Sequence, residues 1–242
     1  MHEAGAKHLR EFTSYNPLHH PAVLGDLAQP RGIWALMLRP ASKRAMDVVL
    51  SVTALLVLLP VLLALTAAVA ADGGPALFSH QRVGRGGRPF GCLKFRSMRL
   101  DADRQLAALL ASNPTARLEW QATRKLRRDP RVTTIGRVLR ATSLDELPQL
   151  VNVLRGDMSL VGPRPVVQEE LEQHYAPAAA VADYLSVRPG VTGPWQVSGR
   201  SEMGYQERVA LDTDYARNPS LRKDLALLAR TVVVVLRRRG AY

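Results

Sequence analysis

Apolar residues fall into one long unbroken run, followed by short alternating and helical patterns. From Val48 to Ala71, 24 consecutive residues carry no charge, bracketed by Asp47 and Asp72. At 1.5 Å per residue a helix of that length reaches across a bilayer core of roughly 30 Å. It is long for a soluble core helix, which would have to be apolar all round. Pro60 sits mid-run, where the missing N–H and the clash with the preceding turn kink a helix. Lys43 and Arg44 precede the run, and Arg82, Arg85, Arg88, Lys94, Arg96 and Arg99 follow it. Positive flanks mark the cytoplasmic side, and here both flanks are basic. On charge alone a spanning helix and one that enters and leaves by the same face remain equal alternatives. The run starts more than 40 residues into the chain, with no small-residue cleavage pattern after it, which excludes a signal peptide.

Beyond the run, Ala76–Gln81 and Phe90–Met98 read as two strands joined by a hairpin turn at Gly84-Arg85-Gly86-Gly87-Arg88-Pro89. The glycines match neither phosphate-loop pattern, so they read as turn chemistry. Leu106, Leu109 and Leu110 predict a helix over Asp101–Ser112, Thr115–Leu126 resumes one, and Ile135, Val138 and Leu139 predict another over Thr134–Arg140. Leu147, Leu150, Val151 and Leu154 recur at helical spacing, and Gly156 stops that helix. Its start has two registers: Ser143 with Glu146 as a capping box, or Asp145 as cap with Pro148 in the first turn. Leu221–Arg239 mixes basic residues with apolar runs and reads as an amphipathic element in the membrane interface, or as a domain helix with solvated arginines. Residues 1–41 read as a mobile arm, in which His19-His20 lacks the further ligands a metal needs. The expected fold class is α+β and mostly helical. An arm over 1–41 precedes a membrane helix over 42–72 and a catalytic domain over 73–242 with a short β-hairpin.

Composition narrows the class. The 242 residues are 47% hydrophobic and 22% charged, which excludes a wholly disordered chain. The single Cys92 excludes a disulfide scaffold. The net charge is +12, and all but five of the 33 basic residues are Arg. Arg offers a planar fork of donors suited to phosphate, so anionic partners are expected.

The chemistry concentrates in Ser143–Arg200. Asp145 and Glu146 stand side by side at the start of a helix, where the positive end of the dipole holds carboxylates ionised. Arg140 lies one turn earlier. Arg164, fixed between Pro163 and Pro165, is presented at small entropic cost. Arg188-Pro189-Gly190-Val191-Thr192-Gly193-Pro194-Trp195-Gln196 is a second rigid loop that aims Arg, Trp and Gln. Two acids among several arginines suit a diphosphate substrate with a divalent cation between acids and phosphates.

Six pieces in order, Lys43-Arg44-x-x-Asp47, Leu93-Lys94-Phe95-Arg96-Ser97-Met98, Ser143-Leu144-Asp145-Glu146-Leu147, Gly156-Asp157-Met158-Ser159, Val161-Gly162-Pro163-Arg164-Pro165 and Arg188-Pro189-Gly190-Val191-Thr192-Gly193, resemble the bacterial sugar transferase family. These are the monotopic phosphoglycosyl transferases, or polyprenyl-phosphate hexose-1-phosphate transferases, and the resemblance runs from about Ser42 to the C-terminus. The ending Arg238-Arg239-Gly240-Ala241-Tyr242 is similar to short members that initiate exopolysaccharide synthesis with galactose 1-phosphate. The resemblance implies transfer of a hexose 1-phosphate, galactose or glucose, from a UDP-sugar to undecaprenyl phosphate at the cytoplasmic face of the bacterial inner membrane, with Mg²⁺. It places the nucleophile on Asp145, which would form a phosphosugar-aspartyl intermediate as UMP leaves, and the metal on Glu146. Arg140 and Arg164 would neutralise phosphate charge, and Arg188, Trp195 and Gln196 would take the uridine-diphosphate end. It also implies a re-entrant helix broken at Pro60, where this chain has Leu59 in place of the usual preceding serine. Lys43, Arg44 and Asp47 would pin the helix mouth at the lipid headgroups.

The competing classes are a membrane-tethered nucleic-acid binder and a polybasic adaptor without catalysis. With three Trp, six Tyr and four Phe, the chain lacks aromatic interleaving for base stacking. An adaptor leaves the acids among Pro-fixed arginines unexplained. Nucleic acid is therefore not expected as a partner; membrane lipid is, and a homo-oligomer is left open.

Overall fold

The computed structural model describes residues 33–123, 126, 129–198 and 204–236. Most of the expected arm (1–32), Gly199 and Arg200 of the second loop, and Arg237–Tyr242 lie outside the described residues. The chain divides after Pro40, and the architecture below is that of the unit beginning at Ala41.

Helix α1 spans Ile33–Ala70. From Ala41 it forms a 30-residue apolar shaft whose side chains face outward: Leu56 is 67% and Val57 71% exposed. A helix that long and apolar, left uncovered by protein, is suited to lipid rather than water. It is assigned as helix straight through Pro60. Both of its halves touch the body: Ala54 and Leu55 pack on one core cluster, while Leu62, Leu65 and Val69 belong to another with Phe95 and Leu139.

Strands β1 (Leu77–Val83) and β2 (Pro89–Phe95) form the expected antiparallel hairpin, Leu77 opposite Phe95 and Val83 opposite Pro89. Helices α2 (Ala102–Ser112), α3 (Pro114–Thr123) and α4 (Thr134–Thr142) follow. The Thr133 hydroxyl caps α4 by accepting from the Gly136 N–H at 2.9 Å. The chain then turns through Ser143, a non-glycine residue in the left-handed region (φ 58°), into a 3-10 turn, Leu144–Glu146, before α5 (Gln149–Arg155). This corrects both expected registers. No side chain caps either element, Pro148 occupies the position before α5, and Asp145 and Glu146 sit on the turn rather than in the helix.

The remainder is β3 (Ser159–Val161), α6 (Gln168–Glu170, continued by a wider turn over Leu171–Tyr175), α7 (Val181–Ser186), β4 (Gly190–Thr192), α8 (Pro194–Ser198), α9 (Tyr205–Arg217) and α10 (Leu221–Leu236). β3 and β4 pair in parallel, Ser159 opposite Gly190 and Val161 opposite Thr192. The sequence reading has these segments as loops. The pairing exists because Gly162 and Gly190 let two backbones touch: a Cβ on Gly162 would lie 2.4 Å from the Arg188 carbonyl oxygen. The fold is thus mostly helical with two small sheets, and the parallel pair brings the two Pro-rich loops together.

Candidate active site

The site assembles where the hairpin, the 3-10 turn and the two loops meet. Asn152 on α5, fully buried, binds the outer edge of β2 as another strand would. Its Nδ2 donates to the Gly91 carbonyl at 2.8 Å and its Oδ1 accepts from the Leu93 N–H at 2.9 Å. β2 is thereby fixed against the turn, and Lys94 Nζ donates to Glu146 Oε1 at 2.7 Å. Arg140 Nε donates to Ser97 Oγ at 3.0 Å.

Asp145 is half-buried. Burial lifts its carboxyl above the ordinary carboxylate range; Lys94 and Arg140 pull it down, Glu146 pushes it up, and burial prevails. The expectation that the helix dipole holds it ionised therefore gives way to a balance in which burial outweighs two nearby cations.

Beside this turn a small cleft is lined by Arg82, Cys92, Lys94, Glu146, Gln149, Arg164, Pro165, Val191 and Gln196. Glu146, Arg164 and Gln196 are thus brought together as the sequence suggests. Asp145 and Arg140 do not line the cleft, although both lie within electrostatic reach of each other, and Lys94 within reach of Asp145. Trp195 does not line the cleft but meets Arg164, which does: the Arg164 guanidinium lies 5.3 Å and that of Arg208 5.0 Å from its ring centroid. The buried indole N–H of Trp195 has no acceptor among the described residues. Arg188 sits elsewhere: its Nε donates to the Gly156 carbonyl at 2.8 Å, and Arg85, Arg44 and Asp47 are its charged neighbours. The sequence reading has it near the phosphates; its aliphatic-flanked backbone is drawn into the β3–β4 pair, and its side chain turns to the end of α5.

The entry residues also differ from expectation, because their partners are protein rather than headgroups. Arg44 donates to the Val153 and Leu154 carbonyls, closing the C-terminal end of α5. Lys43 pairs with Asp47 and Asp224, each at 3.1 Å. Asp47, 2% exposed, accepts from Ser159 Oγ at 2.8 Å and the Leu160 N–H at 3.2 Å. At the other end of α1, Arg96 grips Asp72 through its two terminal guanidinium nitrogens and donates to the Val69 carbonyl.

Three residues of the cleft escape the sequence reading: Lys94, Arg82 and Gln149. Lys94 lies inside a quoted motif, yet the motif alone does not say which of its residues points at the acids. Arg82 reads there only as a membrane flank.

An exposed apolar helix on a unit that sets two acids among lysine and arginine is consistent with a membrane-associated protein. The chain belongs to the bacterial sugar transferase family, whose pattern matches residues 38–238. It is 52% identical over 200 residues to the undecaprenyl-phosphate galactose phosphotransferase of Salmonella typhimurium, covering 83% of this chain but 41% of that one. The chain thus spans about two fifths of that relative's length. It is 50% identical over 202 residues to the exopolysaccharide production protein ExoY of Sinorhizobium fredii, covering 83% and 88%. It is 39% identical over 239 residues to the UDP-glucose:undecaprenyl-phosphate glucose-1-phosphate transferase of Caulobacter vibrioides, covering 92% and 82%.

Proposed function

We propose that this chain transfers a hexose 1-phosphate, galactose or glucose, from a UDP-sugar to undecaprenyl phosphate, releasing UMP and initiating exopolysaccharide repeat-unit assembly. The observation that carries the reading is the Asp145–Glu146 turn held against Lys94 at the edge of a cleft lined by Arg82 and Arg164. In the first step an Asp145 oxygen bonds to the β-phosphorus, and the bond to the bridging oxygen breaks, its electron pair leaving with UMP. In the second a phosphate oxygen of the lipid displaces Asp145, restoring the carboxylate. A carboxylate nucleophile divides one difficult reaction between anions into two easier ones. Lys94, Arg140 and Arg164 supply the positive charge that lets an anion approach an anion. Trp195 and Gln196 are assigned to the uridine-diphosphate end; Arg188, turned towards Gly156, has a structural part instead.

Magnesium fits the donor set. It is held through one or two carboxylates plus substrate phosphates and water, which the adjacent acids Asp145 and Glu146 could supply. Glu146 would hold it, sharing its carboxylate with Lys94. When bound, the ion would offset charge on the phosphoryl oxygens.

We read α1 as re-entrant, bent rather than broken at Pro60, since the helix continues through that residue. Both ends are tied to the same body, by Arg44 and Asp47 at one and by Arg96 at the other, whereas a spanning helix leaves its ends on opposite faces of a core roughly 30 Å thick. Basic residues at both ends support the reading that this body lies on the cytoplasmic side of the bacterial inner membrane.

The test is UMP release by nanodisc-held protein given Mg²⁺, undecaprenyl phosphate and UDP-galactose or UDP-glucose. Release with one donor supports the reaction and names the sugar. Silence across a full panel of sugar nucleotides overturns it.

A further inference from the structure

Arg82 lines the cleft with no side-chain hydrogen bond of its own among the described residues. Its side chain is 16% exposed, and its nearest carboxylate oxygen, Glu170 Oε2, lies 4.0 Å away, beyond hydrogen-bond range. Among the described residues its guanidinium has no hydrogen-bond acceptor. It nevertheless shares the cleft with Arg164 and Lys94. Burial penalises its cationic form most, the Glu170 carboxylate opposes that, and the Arg164 charge adds a smaller penalty. A half-buried guanidinium beside Arg164 and Lys94, balanced only by a carboxylate beyond hydrogen-bond range, keeps its N–H donors for an anionic ligand.

What holds it there is equally specific. Glu170 Oε2 is shared, at 4.0 Å each, between Arg82 and Arg208, while its Oε1 accepts from the Tyr205 hydroxyl at 3.0 Å. Arg208 is itself 5% exposed and lies over both the Trp195 and Tyr205 rings. Glu170 thus steers Arg82 by charge without consuming its N–H groups.

We propose that Arg82 is a second phosphate-binding residue, positioned by Glu170, which together with Arg164 takes the phosphate adjoining the one under attack. This rests on the transferase reading above. That phosphate comes either from the nucleotide, as the group that departs in UMP, or from the acceptor lipid.

The experiment compares the wild-type full chain in nanodiscs with Arg82→Gln, Arg82→Lys and Glu170→Gln. The first readout is the melting temperature with and without millimolar inorganic pyrophosphate. The wild type is expected to melt higher with pyrophosphate, and Arg82→Gln to melt normally without it but lose most of the rise. Arg82→Lys keeps the charge without the fork and should recover part of it. Glu170→Gln, which keeps the amide size and Tyr205 contact, should lose part of the rise even if Arg82→Gln does not fold. The second readout separates the sources. A roughly ten- to hundredfold higher UDP-sugar concentration for half-saturation of the donor-only burst assigns Arg82 to the nucleotide phosphate. An unchanged donor-only burst with a raised KM for undecaprenyl phosphate assigns it to the lipid phosphate. Wild-type pyrophosphate response and wild-type KM values in folded Arg82→Gln would overturn the proposal while leaving the transferase reading intact. A pyrophosphate response that depends on Arg82, in a protein that forms no UMP from any sugar nucleotide, would support the phosphate site and remove the transferase reading.

Discussion

Lys94 sets its ammonium 2.7 Å from the Glu146 carboxylate, although 52 residues separate them. It also opposes the burial that raises the Asp145 carboxyl. Removing the charge with Lys94→Gln should therefore raise that carboxyl further. Because the nucleophile must be ionised, activity falls as pH drops through its pKa, so the acid limb of the rate profile should move to higher pH. The rate of UMP formation at neutral pH should fall roughly ten- to hundredfold, the worth of a charged hydrogen bond. A pH profile of the variant beside the wild type reads both effects.

Asn152 supplies a buried edge to β2 through two hydrogen bonds. Asn152→Leu, which keeps the branched outline of the side chain, strands the Leu93 N–H and the Gly91 carbonyl. A loss of about 2–4 kcal/mol is expected in denaturant unfolding, accompanied by reduced activity because Lys94 lies one residue beyond the severed bond.

Gly162 is set so close to the Arg188 carbonyl that a Cβ would stand 2.4 Å from it. Gly162→Ala should cost about 1–3 kcal/mol and separate the loops that bear Arg164 and Trp195. The expected signature is a KM for the UDP-sugar raised more than melting temperature is lowered.

Asp72, gripped by Arg96, has its carboxyl held down to about 2. A depressed carboxyl contributes stability above its ordinary pKa of about 3.9, and that contribution is lost as pH falls towards 2. Melting scans from pH 5 to pH 2 should show a loss in the wild type that is smaller in Asp72→Asn.

What the sequence disclosed depended on range. The hairpin and α2 to α4 follow from spacing within a dozen residues, and α1 from an uninterrupted apolar run. The β3–β4 pair did not, because strands of three residues inside Gly/Pro-rich stretches carry no period, and the pairing depends on an approach that only the two glycines allow. The acids were found, but their setting was not: Ser143 entering the left-handed region and Pro148 ahead of α5 together make a turn where helical spacing suggests one continuous helix. Lys94, Arg82 and Asn152 became part of the site only through contacts across 50 or more residues. The motif resemblance identified the family, yet motifs placed Arg188 and the Lys43-Arg44-Asp47 group by analogy, and the geometry turned them towards protein.

The central claim is a covalent phosphosugar on Asp145, and the most direct measurement is the mass of the intact protein after mixing with UDP-hexose and Mg²⁺ without acceptor. The account predicts an added hexose phosphate that maps to Asp145, disappears on adding undecaprenyl phosphate, and is absent from Asp145→Asn. Because burial penalises the ionised Asp145 in the folded chain, its stability contribution is lost as pH rises through its raised pKa, so Asp145→Asn should melt no lower than the wild type at neutral pH. A folded Asp145→Asn that still releases UMP at the wild-type rate would contradict the account.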